Sequence, residues 1–271
     1  VDQFKDVVVG IPTLNGPERL ERCLKSVMKY TPLKELGAAV LVCDDGSSPE
    51  NLEQNRKIAA DYGAIFMANE SRLGVAVSWN RLSRYGIDVL GVKHIVLIND
   101  DVEVVQDWLE ALVFSVRENP HAGMVGLNAW QGVNSENFTP PRTVNYNEAT
   151  MTRGHGMLAS CGYCFAFSAE KWLTVGGFDT RYFCFYEEVS FGVALLHRGW
   201  PSYMLSYPIV IHQGGATTST PGNIDATARL LESRSKFQEK WGSIEAQRAR
   251  IANCKWADCV SWNTGFSQLK V

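Results

Sequence analysis

Three pairs of adjacent carboxylates stand far apart in this 271-residue chain: Asp44-Asp45, Asp100-Asp101 and Glu187-Glu188. Neighbouring carboxylates repel, so holding them together is costly unless a cation or hydrogen bonds share the charge. Hard oxygen ligands of this kind suit Mg²⁺ or Mn²⁺, often together with substrate phosphates. The richest stretch is Leu97-Ile98-Asn99-Asp100-Asp101-Val102-Glu103. The apolar run His94-Ile95-Val96-Leu97-Ile98 before it reads as a buried strand that delivers Asn99, Asp100 and Asp101 to its carboxyl end. In open α/β sheets that is where ligands sit. The plainer alternative is an Asp-rich turn that caps a helix over residues 106–118.

The elements that must position these groups alternate in type. Val7-Val8-Val9-Gly10-Ile11-Pro12 reads as a short buried strand ended by Pro12, and Leu20, Cys23, Leu24 and Val27 follow at helical spacing. Val40-Leu41-Val42-Cys43 is a second strand, then a helix from Glu50 to Tyr62, a strand Ala64-Ile65-Phe66-Met67, a helix from Val75 to Tyr85, the strand 94–98, the helix 106–118 and a strand Met124-Val125-Gly126-Leu127. Such alternation predicts a mostly parallel, doubly wound sheet flanked by helices. Residues 131–157 have the profile of a long functional loop. Beyond it the pattern predicts a strand over 159–167, short helices over 169–175 and Phe191 to His197, a strand Ser202-Tyr203-Met204-Leu205, and a helical extension from Ile224 to Trp241.

Composition bounds the rest. With 45% hydrophobic residues the chain can bury a sizeable core. A formal net charge of −3 does not indicate a nucleic-acid partner. No run approaches the roughly 18 apolar residues of a membrane span, and the residues before Val7 do not read as a basic-then-apolar leader. The 7 cysteines lack a regular framework, and Cys23 and Cys43 fall on a predicted helix and strand, which favours reduced thiols and a cytoplasmic setting. Cys161 and Cys164 have metal-knuckle spacing, with Cys254 and Cys259 as a second pair, yet residues 159–167 read better as a strand with alternate side chains buried. Neither G-x-G-x-x-G nor G-x-x-x-x-G-K-[ST] occurs, so the strand-end carboxylates have no competing phosphate motif.

Six motifs in order bring a family into view: Val9 to Asn15; Asp44-Asp45-Gly46-Ser47-Ser48; Asn69 to Gly74 with Asn80; Leu97 to Glu103; Gly176 to Asp179 with Tyr186-Glu187-Glu188-Val189; and His212 with Gly214-Gly215. The chain resembles inverting, GT-A-fold glycosyltransferases of family 2, particularly rhamnosyltransferase-like members. The resemblance implies a GT-A-like domain over 1–242, with 7–128 the nucleotide-sugar half and 129–242 the acceptor side, and a tail over 243–271. It implies that Thr13, Asn15 and Asp44 line the nucleoside pocket and that Arg72 contacts the nucleotide. Asp101 would ligate Mn²⁺ or Mg²⁺, with Asn99 standing where many relatives carry Asp, Asp100 as a further donor-site carboxylate, and His212 on the metal or diphosphate. Glu188 would be the general base, one methylene longer than the Asp usual there. Asp179 reads as a structural cap, and His155 as an acceptor-side group. The implied activity is metal-dependent transfer of a sugar from a UDP- or dTDP-sugar to an acceptor hydroxyl. Two rivals stand beside it: a sugar nucleotidyltransferase, for which Gly10 to Arg19 offers only one Arg, and a non-catalytic binding module on the same fold.

Overall fold

The computed structural model describes residues 6–31, 33, 37–138, 150–152, 158–215, 225–253 and 259–261. Its centre is strand β1 (Val7–Thr13), buried along its whole length. Alternate side chains serve opposite faces, as the period of two requires. Val7, Val9 and Ile11 join Leu20, Leu24, Trp108 and Leu112 on one side. Val8 joins Leu82, Trp79, Phe165 and Phe167 on the other. The helices α1 (Pro17–Tyr30), α2 (Pro49–Asp61) and α3 (Val75–Asp88) alternate with β2 (Ala39–Asp44), β3 (Ile65–Ala68) and β4 (His94–Ile98). Pro begins α1 and α2, where its missing N–H costs nothing, and the Ser48 hydroxyl accepts from Asn51 N to cap α2.

The remaining elements are β5 (Val102–Glu103), α4 (Trp108–Glu118), β6 (Met124–Gln131), β7 (Thr150–Thr152), β8 (Cys164–Ser168), α5 (Ala169–Val175), α6 (Glu187–Leu196), β9 (Tyr203–His212), α7 (Ala226–Trp241), α8 (Ile244–Asn253) and β10 (Cys259–Ser261). They complete a mixed α/β architecture around one sheet of order β10-β7-β9-β6-β8-β4-β1-β2-β3, with β5 paired to β9. The strands β3, β2, β1 and β4 run parallel, as the strand–helix alternation predicts. Beyond β4 the pattern breaks, because β8 inserts antiparallel between β4 and β6. A chain that returns by loops rather than by a crossover helix is free to pair this way. Among the described residues no helix is long and apolar enough to cross a membrane.

Several boundaries differ from the sequence expectation for identifiable reasons. The strand expected over 159–167 begins only at Cys164, since residues 158–163 bend. The strand expected at Ser202 to Leu205 runs on to His212 across a register shift, Leu127 facing Leu205 but Asn128 facing Ile209. Pro208 lies in that interval and has no N–H to donate, which places a bulge there. Helix α6 starts at Glu187 rather than Phe191, and α4 starts after Asp107, whose φ of 63° is left-handed. The segment after residue 242 holds a helix and a strand that pairs with β7.

Pro12 also shapes the sheet's upper edge. The β1–β2 ladder continues to Thr13↔Asp44, whereas the β1–β4 ladder stops at Gly10↔Leu97. The two central strands therefore part at their carboxyl ends, and a crevice opens between Pro12-Thr13 and Asn99-Asp100. At Gly10 a Cβ would stand 2.8 Å from Leu97 Cδ2 and 3.1 Å from Leu82 Cβ, so glycine is what lets α3 pack this close. Gly10→Val should overpack the site and cost about 1–3 kcal/mol; urea unfolding monitored by far-UV circular dichroism measures it, and an unchanged midpoint contradicts the packing account.

Candidate active site

The crevice widens into a cavity of about 270 Å³. Thr13 from β1, Asn99, Asp100 and Asp101 from the turn after β4, and Arg72 from the β3–α3 loop line it. Glu187 and Glu188 at the start of α6 and His212 at the end of β9 complete the rim. Elements separated by more than a hundred residues thus bring seven of the nine expected site residues to one cavity, leaving Asn15 and Asp44 outside it.

Those two residues build the loop beside the cavity. Asp44 is fully buried, with Oδ1 accepting from Ser47 N at 2.8 Å and Oδ2 from Asn55 Nδ2 at 2.8 Å. Expected to accept from a base, it is instead committed internally. Its neighbour Asp45 is the carboxylate of this pair that reaches the cavity. Asp45 accepts from Gly74 N at 2.8 Å, Leu73 N at 3.1 Å and Asn69 Nδ2 at 2.7 Å, and so ties the β2 and β3 ends together. Asn15, at a φ of 48°, accepts from Ser48 N at 2.8 Å and Asn51 Nδ2 at 3.2 Å. Left-handed backbone is tolerated best by Gly, Asn and Asp, which explains the residue type. Arg72 lies over the Phe183 ring at 5.4 Å, and Arg229 of α7 lies over the same ring at 4.7 Å.

On the opposite wall, Asp100 Oδ2 accepts from Thr13 Oγ1 at 2.7 Å and faces Arg19 at 3.5 Å. Burial pushes its carboxyl up to about 6, against the opposing pull of Arg19. Gly16 makes that contact possible, since a Cβ there would meet the Arg19 guanidinium at 2.3 Å. Asp101 Oδ1 is 3.3 Å from His212 Nε2, while His212 Nδ1 is 2.7 Å from Gln131 Oε1 and the imidazole stacks on Tyr163. With Nδ1–H donating to the Gln131 oxygen, Nε2 is turned towards a carboxylate.

A divalent cation suits that pair. Adjacent ligands of an octahedral ion at about 2.1 Å lie about 3 Å apart, close to the observed separation. Among the described residues no three His, Cys, Asp or Glu side chains close a cage. A cation held here by two side chains would leave positions for phosphate oxygens, the usual manner of Mg²⁺ at nucleotide sites. The Cys161–Cys164 pair does not resemble a zinc site: the Cys161 thiol donates to Leu127 O at 3.1 Å and Cys164 O at 3.0 Å, and burial pushes it up to about 11. The side chains of Cys254 and Cys259, like His155 and residues 216–220, lie outside the described residues.

Helix α6 is presented by an unusual turn. Phe185 and Tyr186 are both left-handed, at φ of 66° and 69°, a conformation that costs non-glycine residues free energy and clusters at functional sites. Glu187 is 7% exposed, and among the described residues its Oε2 has no hydrogen-bond partner. Burial first, and then the charge of Glu188, hold the Glu187 carboxyl well above its ordinary range. Burial raises Glu188 as well, against hydrogen bonds from its own and the Val189 backbone N–H. Gly162 faces Glu188, and a Cβ at 162 would approach its Cδ to 3.0 Å. Asp179, read from sequence as structural, pairs with Arg181 and Lys240, both at 2.8 Å. Although burial acts upward, those hydrogen bonds hold its carboxyl well below the usual range.

A second cavity, of about 470 Å³, adjoins the first and shares Glu188 and Gly162 with it. Its wall includes Ile244 and Arg248 of α8, residues that sequence reasoning left in a tail. The available signal was the helical spacing of Ile244, Gln247, Arg248 and Ile251. Gln247 fastens α8 to the body through His197 Nε2 at 3.0 Å and the Trp241 carbonyl, and Ile244 and Ile251 pack against the Tyr182–Phe237 cluster.

The sequence profile described as glycosyl transferase family 2 matches residues 8–172. No curated protein matches the sequence. Among solved structures, the mannosyltransferase PcManGT from Pyrobaculum calidifontis, in complex with GDP-Man and Mn2+, gives a TM-score of 0.61 at 16% identity, over 93% of this chain and 70% of that one. TarS 1-349 of S. aureus in complex with UDP-GlcNAc gives 0.61 at 14% identity, over 93% and 68%. GalNAc-T7 with UDP, GalNAc and Mn2+ gives 0.58 at 16% identity, over 92% of this chain but only 54% of that one. At such identities the likeness is one of fold, the GT-A fold of nucleotide-sugar transferases.

The Glu187 carboxyl carries a pH signature. Its folded value lies above the ordinary 4.5, so its favourable contribution is complete below that pH and is lost as pH rises through the folded value. Glu187→Gln should therefore flatten the decline in stability as pH rises above the ordinary 4.5. Urea midpoints at rising pH test this, and parallel declines in both proteins contradict it.

Proposed function

Because the chain belongs to glycosyl transferase family 2, we propose that this glycosyltransferase moves a sugar from a nucleotide-diphospho-sugar to an acceptor hydroxyl with inversion at the anomeric carbon. The observation that carries this reading is the convergence of the Asp101–His212 pair and Glu188 on one cavity at the strand ends. The nucleoside is assigned to the β1–β2 side, with Arg72 and Thr13 in contact. Asp44 and Asn15 act there as positioning residues, holding the 45–48 loop. Asp101 and His212, with the Asn99 carbonyl nearby, would hold Mn²⁺ or Mg²⁺, which supplies neutralisation of charge on the departing diphosphate. Asp100, engaged by Thr13 and Arg19, positions that turn rather than completing the ligand set. UDP or dTDP is the preferred carrier; two of the three similar structures described above contain UDP or a UDP-sugar.

Glu188 takes the proton from the acceptor hydroxyl. The acceptor oxygen forms its bond to the anomeric carbon as the bond from that carbon to the diphosphate oxygen breaks, and the electron pair leaves with the diphosphate. Burial favours this role, because a base whose carboxyl is raised accepts a proton more readily. Enclosure between α6 and the 158–163 bend holds the two reactants in line, and such positioning supplies much of the rate advantage. The five described cysteines, Cys23, Cys43, Cys161, Cys164 and Cys184, carry free thiols, which supports a reducing compartment such as the cytoplasm.

Incubation of the protein with UDP-, dTDP- and GDP-sugars and Mn²⁺ or Mg²⁺ tests the reaction. Slow release of nucleoside diphosphate is expected, whereas pyrophosphate exchange points to nucleotidyl transfer instead. Asp101→Ala should abolish the Mn²⁺ dependence of donor binding in calorimetric titrations, and an unchanged dependence removes it from the metal site. Glu188→Gln should keep donor affinity while lowering turnover by roughly 10²–10⁴-fold; near-wild-type transfer would falsify the base assignment.

A further inference from the structure

The second cavity has its own chemistry. Among its described lining residues Glu188 is the one anion and Arg248 the one cation. Ser160, on the same wall, is 4% exposed, and among the described residues its hydroxyl has no hydrogen-bond partner. A buried hydroxyl without a partner forfeits hydrogen-bond free energy unless a ligand or water supplies one. Tyr163 and Tyr186 add aromatic surface, and about 470 Å³ falls within the range of small-molecule sites. The planar guanidinium fork of arginine matches the oxygens of carboxylate and phosphate.

We propose that this cavity is the acceptor site and that it selects an acceptor carrying an anionic group, a carboxylate or a phosphate, besides the hydroxyl presented to Glu188. Arg248 pairs with the anion, Ser160 hydrogen-bonds a neutral oxygen, and Glu188, shared by both cavities, meets the hydroxyl where donor and acceptor join. The inference rests on the assignment of Glu188 as the base. It also gives α8 a role in recognition, since its docking through Gln247 and His197 is what brings Arg248 to the wall.

Ligand-observed NMR on the whole chain, in about 150 mM salt to suppress non-specific attraction, can compare methyl β-D-glucuronide, glucose 6-phosphate and methyl β-D-glucoside, with and without UDP and Mn²⁺. At least one anionic probe should bind about tenfold tighter than the neutral glucoside. Binding by the glucuronide alone identifies the group as carboxylate, and binding by the sugar phosphate alone as phosphate. The exposed Arg248→Gln should erase the preference, and Ser160→Ala should weaken all three probes several-fold, with UDP binding unchanged in both. Equal affinity for the neutral probe, no binding by either anionic probe, or a preference that survives Arg248→Gln overturns the proposal. If UDP fails to bind while the anionic preference and its loss in Arg248→Gln hold, the cavity stands and the glycosyl-transfer reading falls.

Discussion

Six carboxylates crowd the carboxyl end of one sheet, and the surrounding architecture can be understood as the means of holding them there. Each pair is stabilised differently. Asp44 and Asp45 are saturated by amide donors, several of them backbone N–H groups at the ends of neighbouring elements. Asp100 leans on a hydroxyl and a guanidinium, and Asp101 faces an imidazole. Glu187 and Glu188 have only backbone N–H groups at the start of α6 to set against burial and, for Glu187, the charge of its neighbour. The gradient is functional in form: saturated charges make structure, while poorly satisfied ones remain available for chemistry. A buried charge without a partner is costly in a low-dielectric interior, so such groups persist where a substrate or ion later completes them.

The backbone shows the same division. Parallel pairing around β1 gives a stiff platform, and the early stop of the β1–β4 ladder opens it at one end. The acidic turn after β4 sits on that opening, and β9 reaches the same place from the other half of the sheet by crossing a bulge. His212 faces Asp101 because the strand continues past Pro208; had β9 ended at Leu205, the histidine would have been stranded on a loop.

Much of this was legible from residue order because it depends on local periodicity. The strands and helices from Val7 to Leu127 follow from apolar spacing, and the acidic turn follows from its place after a buried run. Three features were not legible. Which member of Asp44-Asp45 reaches the cavity depends on a backbone turn that places Asn55 and Ser47 beside one of them. The antiparallel entry of β8 is a long-range pairing, on which local periodicity says nothing. Arg248 belongs to a short, weakly amphipathic helix whose position is fixed by a histidine 51 residues away in sequence. Its neighbour Gln247, which makes that contact, looks like any surface glutamine until the fold is known.

The docking of α8 has a bearing on how such a protein diversifies. The helix follows Gly242, at a φ of 77°, and lies well beyond residues 8–172 that carry the family pattern. A single residue inserted between Gly242 and Ile244 would rotate the face it presents by about 100°, the angle per residue of an α-helix, leaving the strand-end carboxylates untouched. Lineages can therefore exchange the wall of the second cavity without rebuilding the first. For the protein engineer, the same separation makes α8 a graftable cassette.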